Sequence, residues 1–171
     1  MVRYSIISLL LLLGSVFVVP FLSYAQGDQA QVNTLKGLKG IGVSIGDIDP
    51  DATADGLNSP KLLSEVTKKL KKSGIKVYTE VELPTIAGQP MLLVNVNTSK
   101  QPGPIYIFSL TLDLNQIVLL SRNNGLTAVS PTWTVLTTGG ALPEDLMKNV
   151  QAALNPMLDS FIADYKKANP K

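Results

Sequence analysis

From residue 106 to 120 the apolar side chains Tyr106, Phe108, Leu110, Leu112, Leu114, Val118 and Leu120 share one parity, with Ser109, Thr111, Asp113 and Asn115 between them. A period of two puts that set on one face of a single strand. At about 3.3 Å per residue such a strand would run to about 50 Å, so a bend or bulge is expected near Asn115 and Gln116. Earlier, Ile41, Val43 and Ile45 alternate with Gly42, Ser44 and Gly46, which predicts a first strand within 38–48. Ile75, Val77 and Thr79 predict a second strand, and Leu92, Val94 and Val96 a third over 91–98. Arg122-Asn123-Asn124-Gly125 then predicts a hairpin turn, returning through a strand over 128–137 that carries Trp133 and Val135 on one face. Pro131 assigns that strand to a sheet edge or a bulge.

Two stretches follow the helical period instead. Leu62, Leu63, Val66 and Leu70 mark a helix over 60–72, opened by Asn58 as N-cap and a first-turn Pro60, and closed by Ser73-Gly74. Leu142, Leu146, Val150, Leu154, Met157, Phe161 and Tyr165 mark a second helix over 143–168, in which Pro156 must kink the axis or break the hydrogen bonding near Ala152. Together these elements predict one α+β domain over 35–171. Its sheet is mixed and largely antiparallel, of about five strands, with two helices on one face, in the order β-α-β-β-β-β-α.

The amino terminus reads as an address. Arg3 precedes an apolar stretch over 6–19, Pro20 ends it, and Ser23-Tyr24-Ala25 forms a small-x-small cleavage site, the pattern of a secretory signal over 1–25. An uncleaved anchor is the alternative, since 4–25 just reaches the roughly 20 residues of a span; signal removal leaves no membrane span. The polar run that follows predicts a flexible leader over 26–34.

Composition then removes most recognisable chemistry. The chain of 171 residues has no histidine and no cysteine. That excludes Ser-His-Asp and Cys-His nucleophiles, the usual zinc sites, disulfides and a lipidated cysteine. The formal charge of +2 falls to +1 once Arg3 leaves with the signal, so no nucleic-acid partner is expected. An export signal on a cysteine-free chain suits a periplasmic or secreted bacterial protein.

Several motifs lose their usual meaning in context. Gly42-Val43-Ser44-Ile45-Gly46 matches G-x-S-x-G, yet it lies inside a strand and no histidine exists to activate Ser44. Gly40, Gly42 and Gly46 imitate a dinucleotide loop, but no helix opens directly after them; they read as packing glycines. Ser73 and Lys76 have S-x-x-K spacing across a helix stop and a strand start, without companion motifs. Asp47, Asp49, Asp51 and Asp55 alternate as the oxygen ligands of a calcium loop would. The turn-glycine position holds Ala52 and the bidentate-glutamate position Asn58, so a solvated turn-forming loop accounts for the same run. Lys68, Lys69, Lys71 and Lys72 invite an anionic-surface reading, but in a domain otherwise near neutral they read as a solvated helix face, Trp133 as core, and Arg122 as an exposed turn charge. No cofactor is expected.

The helix stop with Ser73-Gly74-Ile75-Lys76-Val77, then Met91-Leu92-Leu93-Val94-Asn95-Val96, then Tyr106-Ile107-Phe108-Ser109-Leu110-Thr111-Leu112-Asp113, resembles the order of elements in TolB amino-terminal-type domains. Such envelope accessory domains include penicillin-binding-protein activators and curli-secretion lipoproteins. The resemblance is topological, spans about 40–122, and departs from those proteins in lacking the lipidated cysteine and a tryptophan soon after Val118. The ending Phe161-Ile162-Ala163-Asp164-Tyr165-Lys166-Lys167-Ala168-Asn169-Pro170 is similar to the tails of small uncharacterised secreted bacterial proteins. The first resemblance implies partner binding in the envelope. The expectation is therefore a non-enzymatic module that binds an envelope protein partner through a sheet edge or an uncovered sheet face. The alternatives are a hydrolase of envelope polysaccharide using two of Asp47, Asp49, Asp51, Asp55, Glu80 and Glu82, or a carrier of small apolar ligands.

Overall fold

The computed structural model describes residues 28–170; the expected signal over 1–25 lies outside them. Four helices, α1 (Gln29–Thr34), α2 (Pro50–Ala54), α3 (Ser59–Lys72) and α4 (Leu146–Ala168), combine with four strands, β1 (Gly42–Ile45), β2 (Met91–Gln101), β3 (Ile105–Leu120) and β4 (Asn123–Ala141). The sheet order is β1-β2-β3-β4. β1 pairs parallel to β2 and the other pairs are antiparallel. This is the mixed, mostly antiparallel α+β architecture with two main helices that the periodicity predicts.

The alternation in β3 decides where the core lies. Tyr106, Phe108, Leu110, Leu112 and Leu114 are buried, as are Leu92, Val94 and Val96 of β2 and Trp133 and Val135 of β4. α3 contributes Leu62, Val66 and Leu70 to the same cluster, and α4 contributes Leu146, Val150, Leu154, Met157, Leu158 and Phe161. Burying each such side chain removes it from water at about 1.5–3 kcal/mol, which is how a domain without disulfides stays folded.

Local signals set the ends of α3. The Asn58 side chain accepts from the Lys61 N–H at 2.8 Å, the expected N-cap. Gly74 takes φ +82°, Ile75 N–H reaches Leu70 O at 3.1 Å and Gly74 N–H reaches Lys71 O at 3.0 Å. This pair of bonds is a Schellman stop, and it needs a residue free to adopt positive φ. In α4, Pro156 lies inside the helix, so the Ala152 carbonyl lacks its intrahelical donor.

The structure differs from the sequence expectation at several points. The second strand shrinks to a single parallel bridge, Ile41 with Val77, where Gly40 packs so close that a Cβ would lie 2.7 Å from Lys76 O. The sheet therefore has four strands. The segment expected as a flexible leader holds α1, whose Val32 is buried and ties the segment to the core. The bulge expected near Asn115 and at Pro131 is present, its extra residue on β4: Leu114 pairs with Trp133 but Asn115 with Pro131, leaving Thr132 over. Finally, the hairpin turns at Ser121 and Arg122, with Leu120 paired to Asn123, so Asn123 and Gly125 belong to β4.

β4 also runs farther than expected, to Ala141. Gly139 makes this possible: a Cβ there would lie 2.5 Å from Phe108 Cζ, so only a glycine lets the Phe108 ring cross beneath β4. Beyond Leu114 the buried face of β3 ends. Val118 and Leu120 are half-buried, because the last turns of the hairpin extend past the helix layer.

Candidate functional site

The acidic loop joins β1 to α3 and folds around α2. Asp49 is the residue before α2, Asp51 lies in its first turn, and Asp55 follows its end. β2 and β3 meet this loop at their shared hairpin. Tyr106 Oη donates to Asp55 Oδ2 at 2.6 Å, Lys100 Nζ lies 2.9 Å from the same oxygen, and Thr98 Oγ1 donates to Asp49 Oδ2 at 2.7 Å. Lys100 also stands 5.3 Å from the centre of the Tyr106 ring. A cleft of about 260 Å³ lies between them, lined by Asp49, Pro50, Asp51, Thr98, Lys100 and Tyr106.

The electrostatics follow from these contacts. The hydroxyl of Tyr106 and then the ammonium of Lys100 hold the Asp55 carboxyl below the ordinary range. Its hydrogen bonds to Asp55 and then to Tyr106 push Lys100 up, and Tyr106 is raised by its bond to Asp55 and then by burial. All three settle in their ordinary neutral-pH states: carboxylate, ammonium and phenol. The cluster is therefore a structural clasp that pins the acidic loop to the β2–β3 hairpin.

The structure does not bring the four aspartates together. Asp47 and Asp51 are exposed, while Asp49 and Asp55 face different donors on β2 and β3. Among the described residues no three His, Cys, Asp or Glu side chains converge as a metal site requires. The chain's spacing resembled a calcium loop because alternate residues share a side in an extended segment; α2 coils that segment and turns the side chains apart.

Glu80 and Glu82 sit at the other end of β1. Glu82 accepts from the Thr79 N–H at 2.8 Å and from its hydroxyl at 3.0 Å, with Lys76 at 3.6 Å. The Thr79 backbone and hydroxyl, and then Lys76, hold the Glu82 carboxyl below its usual range. No carboxylate of this pair faces one of the aspartates across a cleft.

Ser44 lies in the middle of β1. Gly42 there packs against Leu83, a Cβ lying 2.8 Å from its Cδ2, and Gly46 packs against the Asn95 side chain. Both serve close packing. Trp133 is core: its ring meets Phe161 edge-on at 5.1 Å, and its Nε1 donates to Asp164 Oδ2 at 2.9 Å. Asp164, buried on the inner face of α4, escaped the sequence reading. Its signal was a lone acid in the Phe161–Tyr165 core stretch, opposite a chain with one tryptophan.

β4 is one edge of the sheet, and part of that edge is closed. Thr134 N–H donates to Gln31 Oε1 at 3.0 Å, and Thr34 Oγ1 donates to Thr132 O at 3.2 Å, so α1 lies along the bulge. Asn149 Nδ2 donates to Gly140 O at 3.2 Å. Between these closures the two-residue period turns the backbone groups of Leu136 and Thr138 outward, and no hydrogen bond to them occurs among the described residues. Leu136, 55% exposed, stands on the sheet face that no helix covers, and Ile107, 51% exposed, shares that face four positions along the ladder, opposite Gly140.

No family model matches the sequence, and neither does any curated protein. Among solved structures the chain is similar to a minor lipoprotein from Acinetobacter baumannii, at 12% identity and a TM-score of 0.25, over 74% of this chain and 82% of that one. No helix among the described residues is long and apolar enough to cross a membrane.

Proposed function

We propose that the protein is a non-enzymatic module of the bacterial envelope, exported by its amino-terminal signal, that binds a protein partner by adding a partner strand to the open part of β4. The observation that carries this reading is the pair of outward, unpaired backbone positions at Leu136 and Thr138, bracketed by edge positions that α1 and Asn149 close. A free edge invites strand pairing, and native domains usually block it. Here blocking covers the flanks and spares the middle, at the exposed apolar side chain of Leu136, which would give a strand side-chain specificity. The carboxylate-hydrolase reading has less support, since Asp49 and Asp55 are engaged by Thr98, Lys100 and Tyr106. An apolar-ligand carrier needs room between sheet and helices, where Trp133, Phe161, Leu110 and Leu112 pack.

Site-specific photo-crosslinking in the producing cells tests the reading. A crosslinker at Leu136 should yield a discrete adduct, and one at Leu63, an exposed position on α3, should not. Thr138→Pro removes an outward N–H, a change that an edge strand tolerates, and should abolish the adduct while leaving the melting temperature close to wild type. An adduct at Leu136 that survives Thr138→Pro, or none at all, overturns strand addition.

A further inference from the structure

One end of the molecule gathers two features that point to the same occupant. The first is charge. α3 and α4 run parallel, since Glu65 meets Gln151 and Lys69 meets Asn155 and Asp159. Their C-termini therefore lie together, and there Lys68, Lys71, Lys72, Lys166 and Lys167 are exposed, with Lys36 beyond α1. None of the six forms an ion pair among the described residues. Two helix C-termini carry about half a negative charge each, which six lysines outweigh. Between the two helices lies an open groove of about 740 Å³, with Lys68, Lys72 and Lys166 at its rim and Leu154 and Leu158 in its wall.

The second feature is an apolar arm. β2 covers β3 only as far as Asn115, and the β3–β4 hairpin continues beyond that pairing. Ile117 pairs with Val129 and Leu119 with Thr127, so Ile117, Leu119 and Val129 share one face. Leu119 is 64% and Val129 73% exposed. The root of the arm is Trp133, bonded to Asp164 near the end of α4, so the arm projects from the lysine-rich end. Arg122 stands in its turn.

We infer that this end, the lysines together with the distal hairpin, is a docking surface for an anionic phospholipid bilayer. Apolar side chains that enter the interface and cations that meet anionic headgroups are the two parts of peripheral membrane binding. The chemistry recognised is a phosphate-bearing headgroup layer over acyl chains. This surface is separate from the open edge at Leu136 and does not depend on it.

Flotation with vesicles tests the inference, using the chain from Gln26 onward, which carries the whole core cluster. Binding is expected to vesicles with about 30% phosphatidylglycerol in phosphatidylcholine, to be absent with phosphatidylcholine alone, and to weaken as salt rises from about 0.05 to 0.5 M. Each lysine near the surface contributes about five-fold, so Lys68→Gln, Lys72→Gln and Lys166→Gln together should weaken binding by about 100-fold. Leu119→Ser with Val129→Ser should weaken it at least ten-fold, and Lys61→Gln with Lys148→Gln should leave it unchanged. All these positions are exposed, so melting curves should match the wild type. No flotation at low salt, or flotation indifferent to the lysine and arm variants, overturns the inference. Concentration-dependent dimers that the arm variants dissociate, without vesicle binding, overturn it in favour of a second copy.

Discussion

Trp133 donates its indole N–H to the buried carboxylate of Asp164 at 2.9 Å, joining β4 to the last turns of α4. Phe161 packs edge-on against the same indole. Asp164→Ala removes the acceptor and leaves the indole N–H buried without a partner, which should cost about 1.5–3 kcal/mol. Asp164→Asn keeps a carbonyl oxygen in place and should cost less than half as much. Urea denaturation followed by tryptophan emission measures both; equal losses would show that packing around α4, and not this bond, sets the cost.

The phase of β3 makes a sharper stability contrast. Leu110 and Leu112 are wholly buried while Thr111 between them is half-buried on the open face. Leu110→Ala and Leu112→Ala should each destabilise by about 2–5 kcal/mol, and Thr111→Ala by less than about 1 kcal/mol. Similar small shifts in the denaturant midpoint for all three would contradict the burial assigned to this strand.

What was legible in the chain is what local patterning controls. The alternation from Tyr106 to Leu114 fixes the buried face, Asn58 and Gly74 fix the ends of α3, and Pro131 marks both an edge strand and a bulge. Contacts between distant segments were not legible. α1 is polar enough to read as a leader, and only its fit beside β4, through Val32, Gln31 and Thr34, keeps it helical. Ile75 and Val77 alternate like a strand, yet the sheet offers them one bridge. Asn124-Gly125 carries a strong local turn preference, but the pairing of Leu120 with Asn123 places the turn earlier. At the candidate site the sequence supplied the acids but not their partners: Thr98, Lys100 and Tyr106 lie more than forty positions from the aspartates they bind.

The clasp at Asp55 makes stability depend on pH in one direction. Its carboxyl is lowered in the folded chain by Tyr106 and then Lys100, so its contribution is complete above the ordinary aspartate pKa of about 4. It is lost as pH falls through the lower folded value. Tyr106→Phe removes the larger cause, and the melting temperature of that variant should therefore fall less steeply than the wild type below about pH 4. Parallel pH profiles for the two proteins would show that Asp55 draws its shift from elsewhere.

Calcium provides a test of the acidic loop. With Asp49 and Asp55 turned toward Thr98 and Tyr106, millimolar calcium should move the melting temperature by less than a degree or so. A site with a dissociation constant near 10 µM would instead add about 2.7 kcal/mol at a hundredfold excess. A rise of several degrees with calcium but not magnesium, abolished by Asp49→Ala, would mean that the loop rearranges around the ion.

The short helix α1 supplies the last prediction, because it is the one element that both covers the β4 edge and begins next to the expected cleavage point. Gln31 accepts the outward N–H of Thr134, Thr34 donates to Thr132, and Gln116 Nε2 reaches Thr34 O at 3.3 Å, so the helix is held across the bulge from two strands. Val32 adds a fully packed side chain. Val32→Ser should therefore cost about 1.5–3 kcal/mol through lost burial, and should also free the edge beside the bulge. An uncovered edge pairs with other chains, so the variant should form concentration-dependent oligomers under conditions where the wild type does not. Sedimentation velocity at two concentrations reads this directly. Gln31→Glu supplies the control, since a carboxylate still accepts from Thr134 N–H and leaves Val32 in place. A monomeric Val32→Ser protein with wild-type stability would mean that α1 neither guards the edge nor belongs to the fold it packs against.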